Sequence, residues 1–121
     1  MPGPSLRRLS GPQAFSELLR RRPLASNDWL MIYALPCVAA EGSALGFIIP
    51  KKSLRHAVQR NRVRRWMRDF WQRHLPVVPH HLLVRCRGKP GWSSLAERRQ
   101  RYQELLFLCS QVHAALERAQ P

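Results

Sequence analysis

The chain has 121 residues, 45% of them apolar, with 21 lysines and arginines against 7 acidic residues and a formal net charge of +14. This length suits one domain with its own core, and the apolar fraction excludes wholesale disorder. Because self-repulsion of this size opposes compaction, the charge indicates an anionic partner, either nucleic acid or an acidic membrane surface. We expect a single domain over residues 1–121, with a mobile Pro-, Gly- and Arg-rich segment at residues 1–10.

The first predicted element is a helix that Ser10 caps, with Pro12 in its first turn and an end before Pro23. Apolar runs bounded by turns or prolines predict three strands, at residues 29–35, 44–49 and 82–86. A long helix fills the space between the second and third strands. A capping box, Ser94 with Glu97, opens a last amphipathic helix. The order α-β-β-α-β-α predicts the α+β class, a sandwich of one sheet with packed helices.

The sequence predicts neither a membrane-spanning segment nor disulfide bonds. No apolar run approaches the ~20 residues of a membrane span, and the N-terminal residues lack the apolar segment of a signal peptide. Cys37, Cys86 and Cys109 are odd in number and form no C-x-x-C pair. They are typical of buried free thiols in a reducing compartment, so we expect a cytoplasmic protein without a membrane partner.

The long helix contains RNRVRR at residues 60–65. Wound at about 100° per residue, it carries an apolar face on one side and a polar face nearly opposite. The apolar face, directed to the core, holds Val63, Trp66, Met67 and Phe70, with Trp71 at its edge. The polar face holds Asn61, Arg64, Arg65, Arg68 and Gln72, flanked by Arg60 and Arg62.

The charges of this helix differ from those of an ordinary solvated face. Asp69 is the only acid between Lys51 and His74, and arginines recur at spacings of three and four. Like charges at such spacings destabilise a helix that has no partner. The pattern therefore favours phosphate binding, with Lys51 and Lys52 near the helix start as further ligands. Asn61 adds a hydrogen bond to a base or sugar.

The segment before this helix has two interpretations. Leu54, Ala57 and Val58 fall on the wrong side of the helix for the core. Either the helix begins near Ala57, or KKSLRH at residues 51–56 is a connecting loop that docks separately.

The aromatic residues also have two interpretations. Phe15, Trp29, Tyr33 and Phe47 suit either core packing or stacking against unpaired bases. In the first strand, Trp29, Met31 and Tyr33 alternate onto one face, with Leu30 and Ile32 on the other. Periodicity leaves open which face meets helices.

No enzyme motif stands out. The histidines lack metal-ligand spacing, no Gly-rich phosphate loop or G-x-S-x-G is present, and seven scattered carboxylates do not build a two-metal nuclease site. We expect neither catalytic residues nor a protein-bound metal.

The run GFIIPKKSLRHAVQRNRVRRWMRDF at residues 46–70 resembles the signature of the bacterial ribonuclease P protein subunit. The shared features are a strand that ends in two lysines, a short connector, and Ala-Val-x-Arg-Asn-Arg-x-x-Arg. Pro50 departs from the small residue common before the lysines, and Leu19 stands where many members carry a second aromatic residue.

The resemblance implies an α-β sandwich with a left-handed β-α-β crossover, against the general right-handed rule. It also implies that a catalytic RNA subunit, using Mg²⁺, removes the 5′ leader of precursor tRNA, and that the protein assists it. Precursor tRNA and the catalytic RNA are then the partners, with no DNA. By position, the RNA-subunit contacts are Lys51, Lys52, Arg60, Asn61, Arg62, Arg64, Arg65 and Arg68. The leader cleft is Phe15, Leu19, Trp29 and Tyr33.

Two other classes of function remain as hypotheses. A structural RNA-binding protein of ribosomal type would carry the same basic face without a role in processing. A protein-only nuclease would need an acidic metal cluster, which the sequence does not offer.

Overall fold

The computed structural model describes residues 5–119. In chain order the elements are β1 (Arg7–Arg8), α1 (Pro12–Leu19), β2 (Ala25–Ser26), β3 (Leu30–Pro36), β4 (Ala44–Ile48), α2 (Ala57–Arg73), β5 (His80–Cys86) and α3 (Leu95–Arg118). The strands form one sheet in the order β1-β4-β5-β3-β2. Apart from the two-residue strands β1 and β2, the predicted α+β class and order α-β-β-α-β-α are confirmed.

The centre of the sheet is β5, which pairs antiparallel with β3 and parallel with β4. Because α2 connects the parallel pair, β4-α2-β5 is a β-α-β unit; its left-handed sense stays a prediction from the family resemblance. On the outer side of β4, β1 pairs only with Ala44 and Leu45. Within residues 5–119, the outer side of β4 therefore has no strand beside it from Gly46 onward, while its inner side stays paired with β5.

Two apolar clusters lie on opposite faces of the sheet. The larger one packs α2 and α3 against Leu30 and Ile32 of β3, and the smaller one packs α1 against Tyr33 and Leu83. The alternation along β3 is therefore as expected, and both faces meet helices.

Trp29 departs from that alternation. It is buried in the larger cluster, and its indole N–H donates to Glu104 at 3.0 Å. The reason is local: Trp29 precedes β3, and the Asn27 side chain accepts hydrogen bonds from the backbone N–H groups of Trp29 and Leu30. This turn directs the indole to the α3 side.

Helix α2 begins at Ala57, and the connector, residues 51–56, docks separately, so both interpretations of this segment hold. The side chain of Leu54 is buried in the larger cluster, and its N–H donates to the carbonyl of Pro50 at 3.2 Å. Along α2 the buried residues are Val63, Met67, Phe70 and Trp71. Trp71, predicted at the edge of the core face, is fully buried.

The helix termini match the sequence in part. The capping box of α3 is confirmed, since Ser94 Oγ accepts from the N–H of Glu97 at 3.1 Å. The N-cap of α1 is Gly11, with φ of 92°, so the prediction of Ser10 was wrong by one residue. A positive φ suits glycine, which has no Cβ. Within the predicted mobile segment, Arg7–Arg8 form β1 and Leu9 is buried, while residues 1–4 lie outside the described part.

Candidate nucleic-acid interface

The outer face of α2 keeps its positive charge unneutralised. Asn61, Arg65 and Arg68 are exposed, and Arg62 and Arg64 are half-buried. The ion pairs within residues 5–119 join His81, Arg101 and His113 to glutamates, and none involves an arginine of α2. This face therefore carries the like-charge rows expected from the sequence, available to an anionic partner.

Three predicted contact residues, Arg60, Asn61 and Arg64, also make hydrogen bonds within the protein. Arg60 Nη1 donates to the carbonyls of Leu54 at 2.8 Å and Arg55 at 3.0 Å. Asn61 Oδ1 accepts from Arg64 Nη1 at 3.0 Å. Arg60 thus fastens the connector to α2, and Asn61 orients the guanidinium of Arg64. Lys51 and Lys52 are exposed in the turn that follows Pro50, just before the fastened part of the connector.

A cavity of about 220 Å³, here called the edge groove, lies along the open edge of β4. Its lining residues are Arg8, Leu9, Phe15, Leu45, Gly46, Phe47, Arg64 and Arg68. The guanidinium carbon of Arg68 is 6.0 Å from the centroid of the Phe47 ring, within cation–π range. The groove brings Phe15, predicted for the leader cleft, together with Arg64 and Arg68, predicted for the RNA-subunit contact.

Three of the four residues predicted for the leader cleft lie on the α1 side of the sheet. Phe15 and Leu19 lie on α1, half-buried and 38% exposed, respectively. Tyr33 lies beneath α1, 4% exposed, with its hydroxyl 3.8 Å from Met31 Sδ. Trp29 lies on the opposite face of the sheet, among the residues that α2 and α3 cover. The prediction that it lines one cleft together with Phe15, Leu19 and Tyr33 is therefore wrong.

Gly46 explains how closely α1 approaches the sheet. A Cβ there would lie 2.9 Å from Phe15 Cζ and 2.9 Å from Leu9 Cδ2. At such distances a Cβ would force the side chains of Phe15 and Leu9 to shift, so glycine permits the close contact.

Two arginines of this surface were missed by the sequence prediction. Arg8 lines the edge groove. Arg85 is exposed on β5 opposite Met31 and Ile48, on the same sheet face as Tyr33. The alternation of Leu83 and Arg85 along the strand was the available signal for Arg85. No sequence signal was available for Arg8, because its position in the groove depends on the pairing of β1 with β4.

A thiol, a carboxylate and an imidazole also come together outside this surface. The ligand atoms of Cys37, Glu41 and His81 lie within 4.8 Å of one another, and His81 Nε2 is 3.1 Å from Glu41 Oε2. Burial, and then the charge of Glu41, raise the pKa of the Cys37 thiol. The spacing of these residues along the sequence did not predict the group, because they come together only where the β3–β4 loop meets β5.

None of the helices within residues 5–119 is both long and apolar enough to cross a membrane.

The fold and this surface define a class: a one-sheet α+β domain with an unneutralised cationic helix beside a groove that Phe15 and Phe47 help to line. The family model of ribonuclease P matches residues 4–111. The ribonuclease P protein component of Bordetella parapertussis is 32% identical over 97 residues, 76% of this chain and 79% of that protein. The chain belongs to the ribonuclease P protein family.

Solved structures show the same fold. The RNase P protein of Staphylococcus aureus matches with a TM-score of 0.63 and 20% identity, covering 90% of this chain and 99% of that one. The RNase P protein of Thermotoga maritima matches with a TM-score of 0.60 and 17% identity, covering 95% and 99%.

Proposed function

We propose that this chain is the RNA-binding protein cofactor of ribonuclease P. It binds the catalytic RNA subunit through the outer face of α2 and the connector lysines. It holds the 5′ leader of precursor tRNA against the α1 face of the sheet, and so promotes endonucleolytic removal of the leader. It works in the cytoplasm, where its three free cysteines stay reduced.

The edge groove is the observation that supports this function most directly. Phe15 offers a ring to an unpaired base, and Arg64 and Arg68 offer guanidiniums to phosphates in the same groove. Contact with two RNA elements that meet at one place requires cations and stacking surface side by side.

In this proposal the RNA subunit carries out the phosphodiester cleavage, and Mg²⁺ bound to that subunit would supply the activation of water and the stabilisation of the leaving oxygen. The α2 face does not fit a magnesium site, because Asp69 is its only acid and carboxylates are the ligands that Mg²⁺ takes from proteins. Its arginines neutralise neighbouring phosphates instead, which lowers the Mg²⁺ concentration that the folded RNA requires.

Reconstitution with a bacterial ribonuclease P RNA at low Mg²⁺ tests the proposal. Wild-type protein should accelerate leader removal, and Arg64→Ala should weaken RNA-subunit binding and lower the salt slope by about one. Arg99→Ala is the matched control, since it removes the same charge from an exposed position on α3. An unchanged cleavage rate on adding wild-type protein would contradict the cofactor role.

Leader recognition is tested separately by comparing precursor and mature tRNA. The holoenzyme should bind the precursor more tightly, and Phe15→Ala should reduce the difference, because stacking on an aromatic ring contributes about 1–3 kcal/mol per base. Equal affinity of the wild-type holoenzyme for both tRNAs would favour the ribosomal-type alternative. Cleavage by the chain without any RNA subunit would indicate a protein-only nuclease.

A further inference from the structure

A second cleft opens on the other side of the connector, where residues 52–59 face the turn at residues 89–93. Its volume of about 630 Å³ lies within the range of ligand pockets, roughly 300–1,000 Å³. The lining residues are Lys52, Ser53, Leu54, Arg55, His56, Gln59, Lys89, Pro90, Trp92 and Ser93. This connector cleft shares no residue with the edge groove.

Three exposed cations, Lys52, Arg55 and Lys89, line the connector cleft, and no carboxylate does. The N-cap of α2, His56, also lies in its wall, so the positive end of that helix dipole adds to the field. The nearby Glu97 accepts hydrogen bonds from Ser93 and Ser94, and caps α3. The cleft is therefore suited to a phosphate.

Trp92 gives the cleft an aromatic wall held in one orientation. Its ring stacks on Trp66, with centroids 5.4 Å apart and 24° between planes, and meets Trp29 edge-on at 6.1 Å. An aromatic ring beside cations is the combination that binds unpaired nucleotides, through stacking and phosphate contact.

The opposite wall is also fixed before any ligand arrives. The two hydrogen bonds from Arg60 hold the carbonyls of Leu54 and Arg55, and the Leu54 side chain is anchored in the core. A preformed site loses little conformational entropy on binding.

We propose that the connector cleft binds one unpaired nucleotide of the catalytic RNA subunit, with its phosphate among Lys52, Arg55 and Lys89 and its base along Trp92. The inference builds on the proposed function and extends the RNA contact beyond the α2 face to the turn before α3. The RNA subunit is the source because the connector runs directly into α2, whereas the leader cleft lies on the opposite sheet face.

Affinity for a bacterial ribonuclease P RNA, measured over a range of salt, is the first test. Lys89→Ala should weaken binding several-fold and lower the salt slope by about one. Arg118→Ala, an exposed cation at the far end of α3, removes the same charge and should leave both unchanged. Equal losses in the two variants, or no loss in Lys89→Ala, would overturn the proposal.

Base-specific chemical probing of the RNA subunit is the second test, because Trp92→Leu also disturbs Trp66. Wild-type protein and Arg118→Ala should protect one unpaired base that Trp92→Leu leaves reactive while still binding the RNA. A protection pattern identical in all three proteins would overturn the proposal. So would a Lys89→Ala defect confined to precursor tRNA. Failure of the wild-type protein to bind the RNA subunit at all would instead contradict the proposed function itself.

Discussion

The guanidinium of Arg60 donates from Nη1 to two consecutive carbonyls of the connector. Hydrogen bonds from a charged donor are stronger than neutral ones, so Arg60 stabilises the fold as well as adding charge. From the sequence, Arg60 was predicted only as an RNA contact, because a cation on a polar helix face gives the same pattern whether it meets a phosphate or a carbonyl. Its hydrogen bonds to the connector depend on the position that the buried side chain of Leu54 gives to the connector backbone.

Replacing Arg60 with Ala should lower the free energy of unfolding by about 1–2 kcal/mol, since two charge-assisted hydrogen bonds are lost at a partly solvated site. Urea denaturation measures the change. Arg65→Ala is the control, because Arg65 is exposed on the same helix, and its effect should stay within about 0.5 kcal/mol. Equal destabilisation by both variants would mean that the two bonds contribute nothing.

Two buried thiols make stability depend on alkaline pH. Burial raises the pKa of Cys86 and of Cys109 from 9.0 to about 12. Below pH 9 each thiol is protonated in both the folded and the unfolded state. Between pH 9 and 12 the unfolded chain ionises while the folded one stays protonated, so stability falls as pH rises.

Each of these thiols should lower the free energy of unfolding by up to about 1.4 kcal/mol per pH unit above pH 9. Denaturation of wild type and Cys109→Ala at several pH values isolates one of them. Below pH 9 the variant is less stable, because it leaves a cavity beside Met67, but its decline above pH 9 should be shallower. Parallel declines would contradict the assignment.

At the scale of elements, the contact between α1 and the sheet depends on β4. Gly46 lets Phe15 and Leu9 lie directly on the strand, and β1 ends there, which leaves the edge groove open. The same glycine therefore determines both the packing of α1 and the position of the aromatic ring in the groove.

Gly46→Ala should destabilise the protein by about 1–3 kcal/mol, because its Cβ overlaps Phe15 and Leu9. It should also reduce the preference of the holoenzyme for precursor over mature tRNA, since the ring of Phe15 is displaced. Denaturation and the two tRNA affinities measure these effects. The double variant Gly46→Ala/Phe15→Leu should lose less stability than the sum of its single variants, and simple additivity would show that the ring does not meet the new methyl group.

The main elements were predictable because their signals are local. Apolar spacing gave the two faces of α2 and the three longer strands, and Ser94 with Glu97 marked the start of α3. The short strands β1 and β2 were missed, since two residues carry no periodicity and their pairing is with distant strands. Trp29 was misplaced because the Asn27 turn shifts the start of β3 by one residue.

At the scale of the molecule, a net charge of +14 is distributed with almost no internal compensation. Arg101 is the arginine within residues 5–119 that pairs with a carboxylate, at 3.0 Å from Glu104. Repulsion among the remaining cations opposes the folded state, and anions that bind the folded protein relieve it.

Sulfate should therefore raise the urea midpoint more than chloride does at equal, low ionic strength, because a divalent anion bridges neighbouring guanidiniums. The triple variant Arg64→Ala/Arg65→Ala/Arg68→Ala should gain less from sulfate than wild type, since it lacks the α2 row. Identical gains would show that sulfate acts through general exclusion from the surface and not by binding α2.

The indole contacts around Trp92 have a practical consequence. Trp92 lines the connector cleft and contacts both Trp29 and Trp66, whereas Trp71, the fourth tryptophan, is buried against Phe70 and His113. A base that enters the connector cleft as proposed would meet Trp92, so emission from this cluster should change while Trp71 supplies a constant background. The protein thus carries its own optical probe, and occupancy of the cleft can be followed in unlabelled protein.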